Sequence, residues 1–186
     1  MSNRQNLDPD NFSSTLHQLY KDMAQLVIAY RNRQINPELI QKTLDFSDEF
    51  IHLSKTHADQ LIGQLHFYKP SLPYSLNLIF NQILTTYLIA VRGQWNDTAI
   101  QQLLCCVISQ FAGISKKLDE FSKDQNTEID RKQITRHNKQ LLQALNTPAL
   151  QIWFTGLKNA EHRWHLKPVT TLSLIHISEP TRLRSI

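Results

Sequence analysis

His137 is the residue whose type and placement best fit a chemical role. It lies three residues after Ile134 and four before Leu141, on the apolar face of a predicted helix, where an imidazole needs a polar partner. One interpretation is a hydrogen-bonded core histidine, which is favoured because lone inward histidines rarely ligate alone. The other is a remnant metal ligand acting with His162. Glu161 lies nearer than His162 to the centre of its helix's apolar face, so a hydrogen bond between His137 and Glu161 is a plausible structural outcome.

Other chemistry-bearing residues give weaker indications. Cys105 and Cys106 are adjacent in an apolar helical run, which lacks the further ligands of a zinc site and predicts core thiols of a cytoplasmic protein. Asp45, Asp48 and Glu49 form a small acidic patch, interpreted as a solvated helix face. The sequence has no glycine-rich phosphate loop and no Gly-x-Ser-x-Gly turn. None of these features predicts a catalytic site.

Charge and hydropathy argue against two kinds of partner. The 20 Lys and Arg residues are interspersed with the 16 Asp and Glu residues, so no basic stripe is built for phosphate binding. The N-terminus lacks the apolar segment of a signal peptide, and the most hydrophobic stretch, residues 76–91, is broken by polar side chains. We therefore expect no nucleic acid and no membrane as partners, and a cytoplasmic location.

The last residues, 172–186 (LSLIHISEPTRLRSI), resemble a translated sequencing adapter. Their short apolar run is followed by Glu179-Pro180, which blocks a helix, and by basic residues in no amphipathic pattern. We expect this tail to be non-native, to make few contacts with the body, and to follow a natural chain truncated near Thr171.

Apolar residues at helical spacing and only four glycines predict an all-α fold. Residues 11–33 carry a heptad seam, and a second seam follows Asn36-Pro37, which supplies an N-cap and a proline at the first helical position. Because the turn between the seams is short, residues 1–68 are expected to form an antiparallel helical hairpin.

Further helices are expected in residues 69–171. Gly93 ends the first of them, Asn96 or Asp97 caps the second, and Thr147-Pro148 caps and opens the last. We predict that the bundle buries five side chains together: Phe80, Ile83, Leu104, Val107 and Leu141.

From about residue 64 to residue 168, the order of the helices resembles the first half of an HD-GYP domain. This HD-superfamily type is a bacterial metal-dependent phosphohydrolase associated with cyclic di-GMP. In such domains a Tyr-containing turn opens a helix bearing a metal-ligand His; here Pro73-Tyr74 opens the helix, and Asn77 stands near that position. The family's His-Asp-x-Gly signature corresponds to Gln110-Phe111-Ala112-Gly113, in which only the glycine is kept.

Two later positions extend the resemblance. His137-Asn138 falls where the family has a His usually followed by Pro, and Glu161-His162 falls where a helix ends in paired histidines. The GYP-type loop is not recognisable in residues 164–168. The chain is most similar to a bacterial subset of HD-GYP-like proteins with an eroded signature.

The resemblance implies a domain whose hydrolytic site is degenerate. Metal-dependent hydrolysis needs several His nitrogens and a carboxylate to hold the ions and activate water. The phenyl ring of Phe111, at the place of the bridging Asp, cannot ligate a metal and is expected to fill the site with core. Asn77 and Gln110 offer only neutral amide oxygens, which suit hard cations within a richer oxygen shell. We expect no catalytic residue, no metal, no cofactor, and a small apolar pocket around Asn77, Gln110 and His137.

Three functions are compatible with the sequence. The first is a non-catalytic, degenerate HD-GYP-like domain (residues 69–171) in signalling or scaffolding, whose hairpin pairs with another protein or a second copy. The second is an unrelated helical adaptor that uses the heptad hairpin for protein–protein interaction. The third is a fragment of an active metal-dependent phosphodiesterase.

Overall fold

The structure is a computed structural model that describes residues 12–32, 35–64, 69–124 and 131–166, without the side chains of 131–135 and 160–166. Within these ranges the regular elements are helices and no strand occurs, which confirms the all-α prediction. The predicted tail, residues 172–186, lies outside the described residues. The helices are α1 (Phe12–Arg31), α2 (Pro37–Thr56), α3 (Ala58–Gln64), α4 (Tyr74–Arg92), α5 (Asp97–Ala112), α6 (Ser115–Phe121), α7 (Arg131–Ala144) and α8 (Gln151–Leu166), with a 3-10 turn at Pro148–Leu150.

Two asparagine caps start helices where the sequence predicts them. The side-chain oxygen of Asn36 accepts a hydrogen bond from the backbone N–H of Leu39 at 2.8 Å, just ahead of α2. Asn96 does the same for Ala99 at 2.9 Å, ahead of α5. Each cap satisfies an N–H group that has no partner within its own helix, and so fixes where the helix begins.

The start of α8 differs from the prediction. The side chain of Thr147 makes no capping hydrogen bond. Pro148 opens a short 3-10 turn that comes before α8. The side-chain oxygen of Gln102 in α5 instead accepts hydrogen bonds from the backbone N–H groups of Ile152 (3.0 Å) and Trp153 (3.3 Å). Its amide nitrogen donates to the carbonyl of Ala149 at 2.8 Å. The free N–H groups at this helix start are therefore satisfied by a neighbouring helix, which local sequence cannot reveal.

One apolar core includes side chains from α1 to α5, α7 and α8 among the described elements, whereas Leu118 of α6 belongs to a small second cluster. Helix α5 packs against α1, α2, α4 and α8, which places it at the centre of the bundle. The predicted hairpin and the predicted HD-type unit thus share this core, and residues 65–68 at their boundary lie outside the described ranges. Four of the five side chains predicted to be buried together are buried, but Val107 is only partly buried, because it lies at the margin of the face that α5 presents to the core.

Asp119 of α6 joins the ends of two other helices. One carboxylate oxygen accepts from the backbone N–H of Ser75 at 2.8 Å, in the first turn of α4. The other oxygen pairs with the Arg31 guanidinium, at the end of α1, at 3.2 Å. A carboxylate at a helix N-terminus satisfies a free donor and interacts favourably with the helix dipole, so α6 fixes the position of α4.

Helix α4 is long and apolar enough, by length and composition, to cross a membrane. Half of its apolar stretch is buried within the protein, however. Helices α5 and α6, bent by 59° at their junction, are together also long and apolar enough to count as one span. Core helices of bundles share this composition, so the apolar run is accounted for by packing against α5.

Candidate functional site

Asn77, the predicted counterpart of a metal-ligand histidine, closes the turn ahead of α4. Its side-chain oxygen accepts from the backbone N–H of Lys69 at 3.0 Å. Its amide nitrogen contacts three carbonyl oxygens, those of Lys69 (3.1 Å), Leu72 (3.3 Å) and Pro73 (3.3 Å). The Asn77 side chain is buried, so these bonds satisfy its polar atoms and stabilise the proline-containing turn ahead of α4.

Phe111 and Gln110 end α5 in partly buried positions. The ring of Phe111 packs against the large core and against a small second cluster, Ile114 and Leu118, on which Tyr74 and Leu78 also pack. Phe111 was expected to fill the site with core, and the structure places it at the boundary between two clusters rather than in the fully buried centre. The reason is that Phe111 lies at the end of α5, which stops at Ala112, and the chain then turns at Gly113 towards α6.

His137 is buried, and its Nε2 atom lies 2.9 Å from the carbonyl oxygen of Ser109. Because a carbonyl oxygen can only accept, this bond requires the proton on Nε2. The ring of Tyr30 meets the imidazole edge-on, with centroids 6.2 Å apart. His137 therefore has the surroundings of a hydrogen-bonded core histidine, the interpretation that the sequence favours.

Gly113, the glycine at which the sequence resembles the family signature, has a packing role at this place. An added Cβ on Gly113 would clash with the His137 ring, lying 2.5 Å from Cγ and 2.6 Å from Nε2. Its backbone has ordinary helical angles (φ −62°, ψ −23°), so the requirement for glycine comes from the close approach of the imidazole and not from φ.

The remaining candidate positions are only partly described. Glu161 and His162 lie in α8, but their side chains are outside the described residues, so the predicted contacts of His137 with them stay predictions. Asn138, next to His137, was not singled out as a site residue. Its side chain is fully buried, and neither its amide oxygen nor its nitrogen has a hydrogen-bond partner among the described residues. Leaving such an amide unpaired costs stability, and the helical pattern alone gives no signal for it.

Metal-ligating side chains do not converge within the part of the chain that the structure describes, where no group of three or more His, Cys, Asp and Glu residues is placed to hold an ion. The cysteines are buried, as predicted. Burial raises the pKa of Cys106 to about 12, and it also raises the pKa of Cys105. Both thiols therefore stay protonated and weakly nucleophilic at neutral pH.

A groove of about 740 Å³ lies between α1 and α2, away from the positions of the family resemblance. We call it the α1–α2 groove. Its walls carry the carboxylates of Asp22 from α1 and of Asp45 and Glu49 from α2. The sequence pattern marked Asp45 and Glu49 as a solvated patch but missed Asp22, because only the packing of the two helices brings it alongside them. The full lining is Asp22, Gln25, Leu26, Ala29, Ile35, Asn36, Glu38, Leu39, Lys42, Asp45, Phe46 and Glu49.

Burial and neighbouring charges act on Glu49 in this groove. Partial burial raises the pKa of Glu49, and the negative charges of Asp22 and Asp45 raise it further. A carboxyl group with a raised pKa in the folded state opposes folding when it is ionised. This cost is absent below the ordinary glutamate pKa of about 4.3, grows as the pH rises through the raised pKa, and is fully present above it.

Glu49→Gln is therefore expected to raise the melting temperature at pH 7 and low salt by about 1–2 °C, and to leave it unchanged near pH 3, where the wild-type carboxyl is also neutral. Differential scanning calorimetry at both pH values measures this difference. The control Asp59→Asn removes an exposed carboxylate from the first turn of α3, where negative charge is favourable, and should not raise the melting temperature. An equal shift at pH 3 and pH 7 would contradict the electrostatic origin.

Comparison of the chain with protein-family profiles, with curated proteins and with solved structures finds no match in any of the three. The class of protein is therefore given by the fold alone, an all-α helical bundle, and its function is inferred from the residues.

Proposed function

We propose that this chain is a non-catalytic helical domain that acts in signalling or as a scaffold by binding other macromolecules, and that its residues 69–171 have the layout of a degenerate HD-GYP-like domain. The observation that carries the proposal is that the residues at the candidate ligand positions make structural contacts. Asn77 closes a turn, Phe111 packs between two apolar clusters, and His137 hydrogen-bonds a backbone carbonyl.

Each of these roles competes with metal binding. A nitrogen that carries a proton has no lone pair for a metal, so the Nε2 atom of His137 would have to lose its bond to Ser109 before ligating through that atom. The amide oxygen of Asn77 is held by the N–H of Lys69, and a phenyl ring offers no ligand at all. Breaking buried hydrogen bonds to assemble a site costs stability, which favours the structural state.

The adaptor hypothesis also proposes action by binding, and it places the contact on α1 and α2. The α1–α2 groove supports this placement, because it combines an open concave surface with apolar side chains and charged side chains on its walls. Cyclic di-GMP enters only through the resemblance, and we do not assign it as a ligand.

A hydrolysis assay tests the proposal. The purified chain, supplied with Mn²⁺ or Fe²⁺, should not cleave cyclic di-GMP or bis(p-nitrophenyl) phosphate above the rate of the metal in buffer. The variants His137→Ala and His17→Ala, the second at an exposed position of α1, should give the same background rate. Turnover by the wild type that is lost in a folded His137→Ala variant and kept in His17→Ala would overturn the proposal in favour of an active phosphodiesterase.

A further inference from the structure

Helix α7 buries polar groups that have no hydrogen-bond partner. The Asn138 side chain is fully buried, and among the described residues neither its amide oxygen nor its amide nitrogen is paired. The side-chain oxygen of Gln140, two residues later, is also buried without a partner among these residues. Water satisfies both amides when α7 is exposed, so burial of these groups destabilises the packed position of α7 relative to an exposed one.

Asn77 of α4 is also a buried asparagine, but its amide is fully paired. Its oxygen accepts from the backbone N–H of Lys69, and its nitrogen contacts the carbonyl oxygens of Lys69, Leu72 and Pro73. Both asparagines are shielded from water, yet only Asn77 replaces the lost hydrogen bonds to water with bonds inside the protein. The cost of burying Asn138 must therefore be offset by the other contacts of α7.

The apolar packing that holds α7 in place is limited. Among the described side chains of residues 136–144, Leu141 is the one apolar side chain that is completely buried, while Leu142 and Ala144 are partly buried. Helix α5, by contrast, buries apolar side chains from Ile100 to Ala112 and packs against four helices, whereas α7 packs chiefly on α8. Helices with few buried apolar contacts open at a lower free energy than the rest of a protein.

The contact of α7 with the centre of the bundle includes His137. Its Nε2 atom lies 2.9 Å from the carbonyl oxygen of Ser109, its ring lies against Gly113, and the ring of Tyr30 meets it edge-on. Water can replace the hydrogen bond to Ser109 once the imidazole is exposed, so this bond adds only modestly to the net stability of the packed helix. Opening of α7 uncovers this surface of α1 and α5.

We propose that α7 is a conformational device of the bundle, a helix that detaches from α1, α5 and α8 as a unit under native conditions while the other helices stay packed. The unpaired amide of Asn138 favours the open state, in which water reaches it. A molecule that binds the uncovered surface shifts the population towards this open state. The opening does not depend on the proposed function, because it follows from the packing of α7.

Hydrogen–deuterium exchange of the full chain, measured by mass spectrometry at pH 7, tests the opening. Relative to their rates in unstructured peptides, the amides of residues 136–144 should exchange at least about a hundredfold faster than those of α5, because α7 opens while the core stays folded. Low concentrations of urea should accelerate exchange in α5 more than in α7, since global unfolding exposes more surface than the opening of one helix.

The variant Asn138→Leu tests the role of the unpaired amide. Leucine has a similar volume and needs no hydrogen-bond partner, so exchange in α7 should slow about tenfold. The higher helix propensity of leucine accounts for only about twofold of this change.

The matched control, Asn77→Leu, changes the buried asparagine whose amide is paired. It should destabilise the whole bundle and accelerate exchange in α5 about tenfold. Exchange in α7 should stay within about twofold of the wild-type rate, because detachment of α7 leaves the turn at Asn77 intact. Circular dichroism shows whether each variant is folded before its exchange is compared.

Three results would overturn the inference. Equal protection of α7 and α5, or an Asn77→Leu variant that accelerates exchange in both helices alike, would mean that α7 unfolds only with the whole bundle. Exchange in α7 that does not slow by more than about twofold in Asn138→Leu would mean that the amide does not favour opening. None of these results bears on hydrolysis, so they are distinct from failure of the proposed non-catalytic role.

Discussion

Replacing Trp153 by alanine is expected to lower the free energy of unfolding by about 3–5 kcal/mol, which is the usual cost of removing a large buried aromatic side chain. The Trp153 ring in α8 is completely buried in the main core. Its indole Nε1 donates to the hydroxyl oxygen of Ser109 in α5 at 3.0 Å. The substitution therefore opens a cavity at the contact between α8 and the central helix, and it also removes a buried hydrogen bond. Urea unfolding followed by circular dichroism measures the loss.

Two further variants separate the causes. Trp153→Phe keeps much of the apolar volume but removes the donor to Ser109 and part of the ring, so a loss of about 1–2 kcal/mol is expected. Trp95→Ala removes an indole that is half exposed, in the turn before α5, and should cost less than about 1 kcal/mol. Equal losses for Trp153→Ala and Trp95→Ala would contradict the position of α8 in the core.

Gly113→Ala is expected to lower the free energy of unfolding by about 2–4 kcal/mol, even though alanine is the better helix former by about 1 kcal/mol. The new methyl group clashes with the His137 ring, which must move away from the carbonyl of Ser109. Gly63→Ala is the matched control, because nothing lies within 4 Å of the added Cβ in α3, and it should stabilise by about 0.5–1 kcal/mol.

A double-mutant cycle assigns the loss to this contact. In Gly113→Ala/His137→Ala the clashing ring is gone, so the double variant should lose less than the sum of the single losses, by about 1–3 kcal/mol. Additive losses would mean that His137 and Gly113 do not pack against each other. That result would remove the packing explanation for the glycine at position 113.

The sequence predicted the helices correctly where the residues that start or bury a helix lie within that helix or next to it. Asn36 and Asn96 cap helices through backbone groups three residues away, and the heptad seam of α1 is buried as its spacing requires. Thr147-Pro148 opens the 3-10 turn that leads directly into α8, but Thr147 makes no capping bond, and the free N–H groups at the start of α8 are satisfied by Gln102, about fifty residues earlier in the chain. The break between α2 and α3 at His57 has no signal in the apolar pattern, which continues across it to Leu61.

The sequence predicted which residue types occupy the candidate site better than it predicted how those residues are arranged. The helical pattern placed His137 on a buried face, but its partner is a backbone carbonyl, and every residue offers one to such a donor. For Asn77 the layout suggested a ligand position, whereas its amide turns back to its own loop. The α1–α2 groove was missed, because it exists only once Asp22 and Glu49 are brought together by packing.

Metal analysis of the purified chain tests most directly the central claim, that Asn77, Phe111 and His137 have structural roles and do not hold a metal. After expression with added manganese and iron, inductively coupled plasma mass spectrometry should find no stoichiometric metal in the wild type, in His137→Ala or in His17→Ala. About two ions per chain, the number that metal-dependent phosphodiester cleavage usually requires, would contradict the account if they were retained in His17→Ala and lost in a folded His137→Ala variant.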